Sequence, residues 1–493
     1  MNRRTFLHTT TATVATGFLA RSLCAASGST PARHFPARVT AASAVPLTKG
    51  KRSPFGWQTA AIGEAPLQLT WPDLPSAVTP TRLRLTVGLD VRDEKLIEAF
   101  LPQSGRVVGT FDVRCGCIFQ VFELTLTATD VADLRREGLS LRRTKGADLR
   151  VFTTGDGMPA ELQPHLLVSG SADSMTEYFA RMRSLACVQA FSWQEGCVLD
   201  GLLDLSALPA HGAMRDAARR QLAQFIVSGK LVYENHVSEI SDDRIYGIEG
   251  TLPFAALAQL EPSSPLLELP LNFWADRHDA EHAILDGGHT SSEGSYTVGY
   301  PLAVIGRARD DEALQQLALT QLRVRQTRLF DGQTFWRTRD AADGKLGNRN
   351  WARGIAWQLL GAARTLRELK HRSDLAEHIA SCRALATWAQ ASQRSDGLWS
   401  CFVDEPTTPP DTAGSAGIGA ALAIGAQQRW LGAEARAAAE KCLAGLTPHL
   451  TSDGFLGGVA QANKGGERLQ RGDYRVIYQM GMGLMAQLIA ALA

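Results

Sequence analysis

Two glutamates stand 44 residues apart in matching surroundings: Glu249 in Tyr-Gly-Ile-Glu-Gly-Thr (246–251) and Glu293 in Ser-Ser-Glu-Gly-Ser (291–295). Each precedes a glycine, a hydroxyl residue and an apolar stretch of helical period. Thr251 and Ser295 are expected to cap those helices. If the two helices are neighbours that begin at one face, both carboxyls turn toward one cleft. One can then be protonated and the other ionised, as glycoside hydrolysis requires. A purely structural role would be dipole stabilisation of the helix N-termini, worth about 0.3–1 kcal/mol each.

Residues 347–357, Gly-Asn-Arg-Asn-Trp-Ala-Arg-Gly-Ile-Ala-Trp, set Arg353 and Trp357 one helical turn apart. A guanidinium there suits bidentate recognition of a carboxylate, and Trp357 or Trp351 suits a sugar face. His289 in Asp-Gly-Gly-His falls four residues before Glu293 and is expected near the same mouth. Asp411, delivered by a Pro-rich loop, is either a further acid or a helix cap, and Trp399 is expected at the rim. No cysteine or histidine spacing suggests a metal, and no cofactor is expected.

The elements that must hold these residues change character along the chain. Residues 63–168 alternate apolar and polar positions in short runs between turns, predicting a β-sandwich accessory domain. From 174 to 493 the pattern is long amphipathic helices. Four of their ends share a turn of Ser or Asp, Gly and then apolar or aromatic residues: Ser-Gly-Lys-Leu (228–231), Asp-Gly-Gln-Thr (331–334), Asp-Gly-Leu-Trp (396–399) and Asp-Gly-Phe-Leu (453–456). Recurring helical hairpins with Gly- and Ala-rich members such as 414–426 predict an all-α (α/α)6 toroid.

Residues 1–26, with Arg3-Arg4-Thr5-Phe6-Leu7 ahead of a mild apolar stretch, read as a twin-arginine signal and imply a periplasmic or secreted protein. Residues 27–62 read as a linker, and no membrane span is expected after signal cleavage. Fifty-one Lys and Arg against 50 Asp and Glu give no basic excess for nucleic acid. The expected partner is an oligosaccharide. Seven of the eight cysteines lie beyond the signal, and Cys115 and Cys117 are expected on one face of a strand as buried hydrophobes.

The helical half resembles the unsaturated glucuronyl and rhamnogalacturonyl hydrolases, glycoside hydrolase families 88 and 105. The similarity runs in order through Phe191–Leu205, which includes Trp193, then Tyr296–Ala308, Asn350–Ala362, Ser395–Pro406 and Asp411–Gly425. The resemblance implies an exo-acting hydrolase that removes a terminal uronic acid by acid/base catalysis. The candidate general acid/base is Glu293 with Glu249 as its charged partner, and Arg353, Trp357, Trp351, His289, Tyr296, Trp193, Trp399 and Asp411 are the candidate substrate-binding residues. The chain departs from the family pattern where Glu249 and Glu293 replace aspartates, where Ile355 and Ala356 interrupt an Arg-Gly-Asn-Gly-Trp motif, and where Phe335-Trp336-Arg337 lacks a histidine. A polysaccharide lyase would instead draw on Tyr246 or Tyr296 beside His289, and a non-catalytic glycan-binding protein would need no acid at all.

Overall fold

The computed structural model describes residues 29–42 and 45–493. The expected export signal, residues 1–26, lies outside them. The N-terminal part is built on two antiparallel sheets. One runs in the order β1 (Arg33–Pro36), β11 (His165–Val168), β5 (Arg82–Thr86), β8 (Val121–Thr125). The other runs β2 (Arg38–Ala41), β4 (Leu67–Thr70), β9 (Leu139–Lys145), β6 (Glu94–Phe100), β7 (Val107–Arg114), while β3 (Gln58–Ile62) pairs with β10 (Leu149–Thr154).

Three of these strands correct the expected linker. β1 and β2 are short sheet edges whose order comes from pairing with residues 165–168 and 67–70, so they need no apolar alternation of their own. Cys115 and Cys117 fall in the turn after β7, with Cys115 at φ 48°, rather than on one strand. Both are buried, as are the other five described cysteines.

The C-terminal part is helical. Six helices, α1 (Trp193–Ser206), α2 (Pro253–Leu260), α3 (Tyr300–Ala308), α4 (Ala352–Glu368), α5 (Thr412–Gln427) and α6 (Gln479–Leu492), each pack against the next, and α6 packs back on α1. Longer or more polar helices, among them Met214–Phe225, Glu312–Leu329, Ala376–Gln390 and Ala433–Leu446, lie against α1, α3, α4 and α5. The turn glycines Gly229, Gly332, Gly397 and Gly454 all have φ between 76° and 95°, the left-handed conformation expected after a helix.

Small residues let the inner helices come together. A Cβ on Gly483 would overlap the Cys197 carbonyl of α1, and one on Gly414 would stand 3.0 Å from the Ala352 Cβ of α4. Hardly any charge enters this crowded centre unpaired: Arg364 donates to Asp204 at 2.5 Å and to Tyr300, and Tyr296 donates to Asp200 at 2.6 Å.

The sheets and helices share one continuous hydrophobic core. Across the seam, buried Arg84 of β5 pairs with buried Asp453 in the 453–456 turn at 2.5 Å. Burial alone would raise the Asp453 carboxyl, but Arg84 and then Arg181 overcome it and hold the group well below the usual carboxylate range. Gln479 Nε2 donates to the Phe119 carbonyl at 2.7 Å, and Gln461 Nε2 to that of Arg114 at 2.9 Å. No described helix is long and apolar enough to cross a membrane.

The tight contact at Gly483 is backbone against backbone, which no rotamer change relieves. Gly483→Ala should therefore cost about 1–3 kcal/mol of stability. Gly247→Ala, at an extended position with open space around it, should leave the melting temperature close to that of the parent.

Candidate active site

Both glutamates reach one cleft by different local routes. Glu249 sits in a 3-10 turn, Ile248–Thr251, directly ahead of α2, and Glu293 follows a short strand β12 (His289–Ser291). Thr251 and Ser295 do not cap helices. Thr251 Oγ1 donates to the carbonyls of Ile248 and Thr297, tying the Glu249 turn to the segment before α3. Ser295 opens a π-helical turn, Ser295–Gly299, and its hydroxyl donates to Gln358 of α4 at 2.7 Å. In both cases the hydroxyl binds an acceptor on a neighbouring element, a choice that local spacing does not reveal.

The glycine after Glu293 has a steric cause. A Cβ on Gly294 would overlap the guanidinium of Arg325, which is itself fixed by donation to the carbonyls of Ser291 and Ile284. Gly250 has no such neighbour, its nearest atoms lying 3.8 Å away. Strand β12 pairs with β13 (Trp336–Asp340), with Ser291 opposite Thr338, and Ser292 N–H donates to the Arg337 carbonyl. That register brings the Arg337 side chain to Glu293.

The cleft has a volume of about 170 Å³, many times the ~10–15 Å³ that one water needs. Glu249, Glu293, His236, Arg337, Arg353, Trp193, Trp351 and Trp357 line it, together with Arg92 and Cys117 from the sheet region and Asn463 and Lys464 from the loop before α6. Trp193 meets Trp357 edge to face with centroids 5.3 Å apart, and Trp357 stacks on Tyr296 at 6.0 Å. These indoles form an apolar wall suited to a sugar face.

The two acids are electrostatically unlike. Arg337 Nε donates to Glu293 Oε1 at 2.6 Å, while Glu293 Oε2 is buried without a hydrogen-bond partner. Among the described residues, Glu249 has no guanidinium partner. Burial, followed by the nearby Glu293 charge, pushes its carboxyl up to about 7 against the opposing effects of Arg337, Lys464 and Arg92. His236 Nδ1 stands 3.3 Å from Glu249 Oε2. Burial, Lys464 and Arg92 push this imidazole down to about 4, so it faces Glu249 uncharged. The unprotonated Nδ1 of one tautomer can accept a hydrogen bond from a protonated Glu249. Asp286 adds a third acid to this field, with its carboxyl raised to about 6 by burial, Glu293 and Glu249.

Several expected site residues are bound to other partners or lie outside the cleft. Arg353 borders the cleft but is 1% exposed, with Nε 3.0 Å from Asp411 and Nη2 donating to the Gln461 carbonyl and to Gln470. Asp411 takes the capping role, accepting from Ala413 and Ala460 N–H groups. Trp399 is fully buried and donates to the Ala389 carbonyl, so it belongs to the core rather than the rim. Tyr296 is likewise buried and bound to Asp200, while His289 is about half exposed and pairs with Asp340 at 3.2 Å. The Tyr296 and His289 side chains are thus committed apart, and the base a lyase would need from them is not assembled.

His236, Asp286, Arg337, Arg92 and Lys464 are not among the residues the sequence singles out. Arg337 was visible only as the residue standing where a histidine was expected, and its role depends on the β12–β13 register. Arg92 and Lys464 come from segments 372 residues apart and carry no local signal. Among the described residues no group of three or more His, Cys, Asp or Glu is placed to hold a metal ion.

Because Arg325 is immobilised by its own hydrogen bonds, Gly294→Ala should displace Glu293 and lower turnover at least tenfold. Near-attack geometry is sensitive to shifts of about 1 Å. Gly250→Ala, tested beside it in the same assay, should retain most activity.

Comparison with known proteins places this site in context. The family model described as Glycosyl Hydrolase Family 88 matches residues 296–490, beginning three residues after Glu293. A solved glycoside hydrolase of family 105 from C. acetobutylicum aligns with a TM-score of 0.55 at 16% identity, covering 64% of this chain and 99% of that one. A possible member of the GH105 family from Klebsiella pneumoniae aligns at 0.53 and 18% identity, covering 61% and 82%. A corresponding protein from Salmonella enterica gives the same values. These likenesses bear on the fold. No curated protein matches the chain. Through residues 296–490 the chain is thus similar to glycosyl hydrolase family 88, and its fold is like that of solved proteins of family 105.

Proposed function

We propose that the protein removes a terminal uronic acid residue from polysaccharide-derived oligosaccharides, with Glu249 as the proton donor and Glu293 as the carboxylate that activates water. The observation that carries this reading is the difference between two acids on one cleft: Glu249 is raised to about 7, and Glu293 is bound to Arg337. It exchanges the roles expected from sequence, because Glu249 is the acid raised into the range of a proton donor and Glu293 is the one bound to a guanidinium. Glu249 would protonate either the glycosidic oxygen or, in an unsaturated uronide, the ring double bond. The unpartnered Glu293 Oε2 would take a proton from the attacking water. The family resemblance supports the uronic acid. The closed order of contacts from α1 to α6 supports an (α/α)6 toroid, and exo action is in keeping with a cleft sized for few sugar rings. Arg3-Arg4 and the following apolar stretch support twin-arginine export to the periplasm or beyond.

The test is turnover of unsaturated oligouronides and of saturated aryl β-glucuronides by the parent protein, Glu249→Gln and Glu293→Gln. Each substitution should lower kcat by about 10²–10⁴. Undiminished activity in both variants would overturn the assignment.

Activity should require protonated Glu249, so kcat/KM falls as pH rises through about 7. Arg337 opposes the upward shift, so Arg337→Gln should move that alkaline limb to higher pH, measurable from the residual activity. The same shift has a stability consequence. A carboxyl raised from 4.5 to about 7 in the folded protein contributes full stability below 4.5 and loses it as pH rises to 7. Relative to Glu249→Gln, the parent should lose on the order of 2–3 kcal/mol between pH 4.5 and 7.5, read from paired denaturation curves.

A further inference from the structure

Four cationic side chains line the cleft, and they are not equally available. Arg337 is bound to Glu293, and Arg353 is buried among Asp411, Gln461 and Gln470. The remaining two, Arg92 and Lys464, share a single anchor, Asp90, whose side chain is 2% exposed. Arg92 Nε lies 2.6 Å from Asp90 Oδ2, and Lys464 Nζ binds Asp90 Oδ1. Asp90 is held in turn, its backbone N–H donating to Ser238 Oγ at 2.7 Å. One carboxylate therefore fixes two cations, leaving one net positive charge. Neither Arg92 terminal nitrogen donates a hydrogen bond within the described residues, and the Arg92 side chain is half exposed.

We propose that Arg92 and Lys464 form the anion-binding end of the cleft and receive the carboxylate of the terminal uronic acid, so that the N-terminal sheet region is a working part of the active site. This inference rests on the uronide reading above and replaces Arg353 as the carboxylate ligand. The physical basis is the open guanidinium edge, which offers paired donors of the kind that bind a carboxylate bidentately, beside an ammonium with further donors. Pre-positioning on Asp90 reduces the conformational freedom that two long side chains would otherwise lose on binding. The same cations oppose ionisation of His236 and favour that of Glu249, which places them within electrostatic reach of the acids. A substrate carboxylate at this end would partly neutralise them and so help Glu249 keep its proton.

Calorimetric titration with glucuronate and with glucose tests the assignment without relying on turnover. The parent should bind glucuronate more tightly than glucose. Arg92→Gln and Lys464→Gln should each weaken glucuronate binding by about tenfold and leave glucose binding unchanged. Arg92→Lys should recover part of the preference, and its melting curve should match the parent because it keeps a cation beside Asp90. A glucuronate preference that survives in both Gln variants and in their double mutant would overturn the inference while leaving the uronide reading intact. Equal binding of the two sugars by the parent would overturn it as well. Turnover restricted to neutral glycosides would sink the uronide reading, and the titrations would still decide whether this end of the cleft binds an anion.

Discussion

Two carboxyls, Glu249 and Glu293, and the guanidinium of Arg337 meet in one cleft, and their electrostatics govern the arrangement around them. A second ionised carboxylate so near Glu293 is costly where the local dielectric is low. Arg337 is bound to Glu293, while burial and the Glu293 charge raise the Glu249 carboxyl against the opposing effect of Arg337. Uncharged His236 stands beside Glu249, and the raised carboxyl of Asp286 responds to the same field. The β12–β13 register, the glycine beside Arg325 and the bond from Thr251 to the Thr297 carbonyl all serve to keep these groups in place.

The sheets contribute through a seam more intimate than that of an appended module. The ion pair of Arg84 and Asp453 is fully buried, and a buried pair tolerates loss of one partner poorly because the other charge remains without compensation. Around it, glutamines on the helical side donate to backbone carbonyls of the sheet region at Phe119 and Arg114. Hydrogen bonds of this kind have directional requirements, so the seam sets orientation as well as adhesion. Arg92 and Cys117 thereby reach the cleft wall.

Much of the helical architecture was legible because it rests on local rules. Apolar periodicity marks the helices, and the Gly229, Gly332, Gly397 and Gly454 turns require a conformation that glycine adopts most readily. The likeness between Glu249 and Glu293 was also legible, since each precedes an inner helix. What escaped depends on distant partners. Arg353 looks like a ligand-binding arginine until Asp411 and Gln461 are brought to it by folding. Trp399 resembles a rim aromatic until the Ala389 carbonyl accepts its indole N–H. β1 is ordered by a strand far along the chain, β2 by β4, and the arginine that binds Glu293 is delivered by a separate strand, β13.

The π-helical turn at Ser295–Gly299 carries a lesson for aligning this protein with its relatives. Such a turn closes its hydrogen bond over one more residue than an α turn, so counting backward from Tyr300 and Pro301 assigns a different angular position to each residue upstream. Glu293 therefore cannot be matched to an acid in another chain by numerical offset from the helix that follows. Equivalence has to be judged by where the carboxyl oxygens meet the ligand, and an extra methylene in the side chain can be offset by an extra residue in the turn.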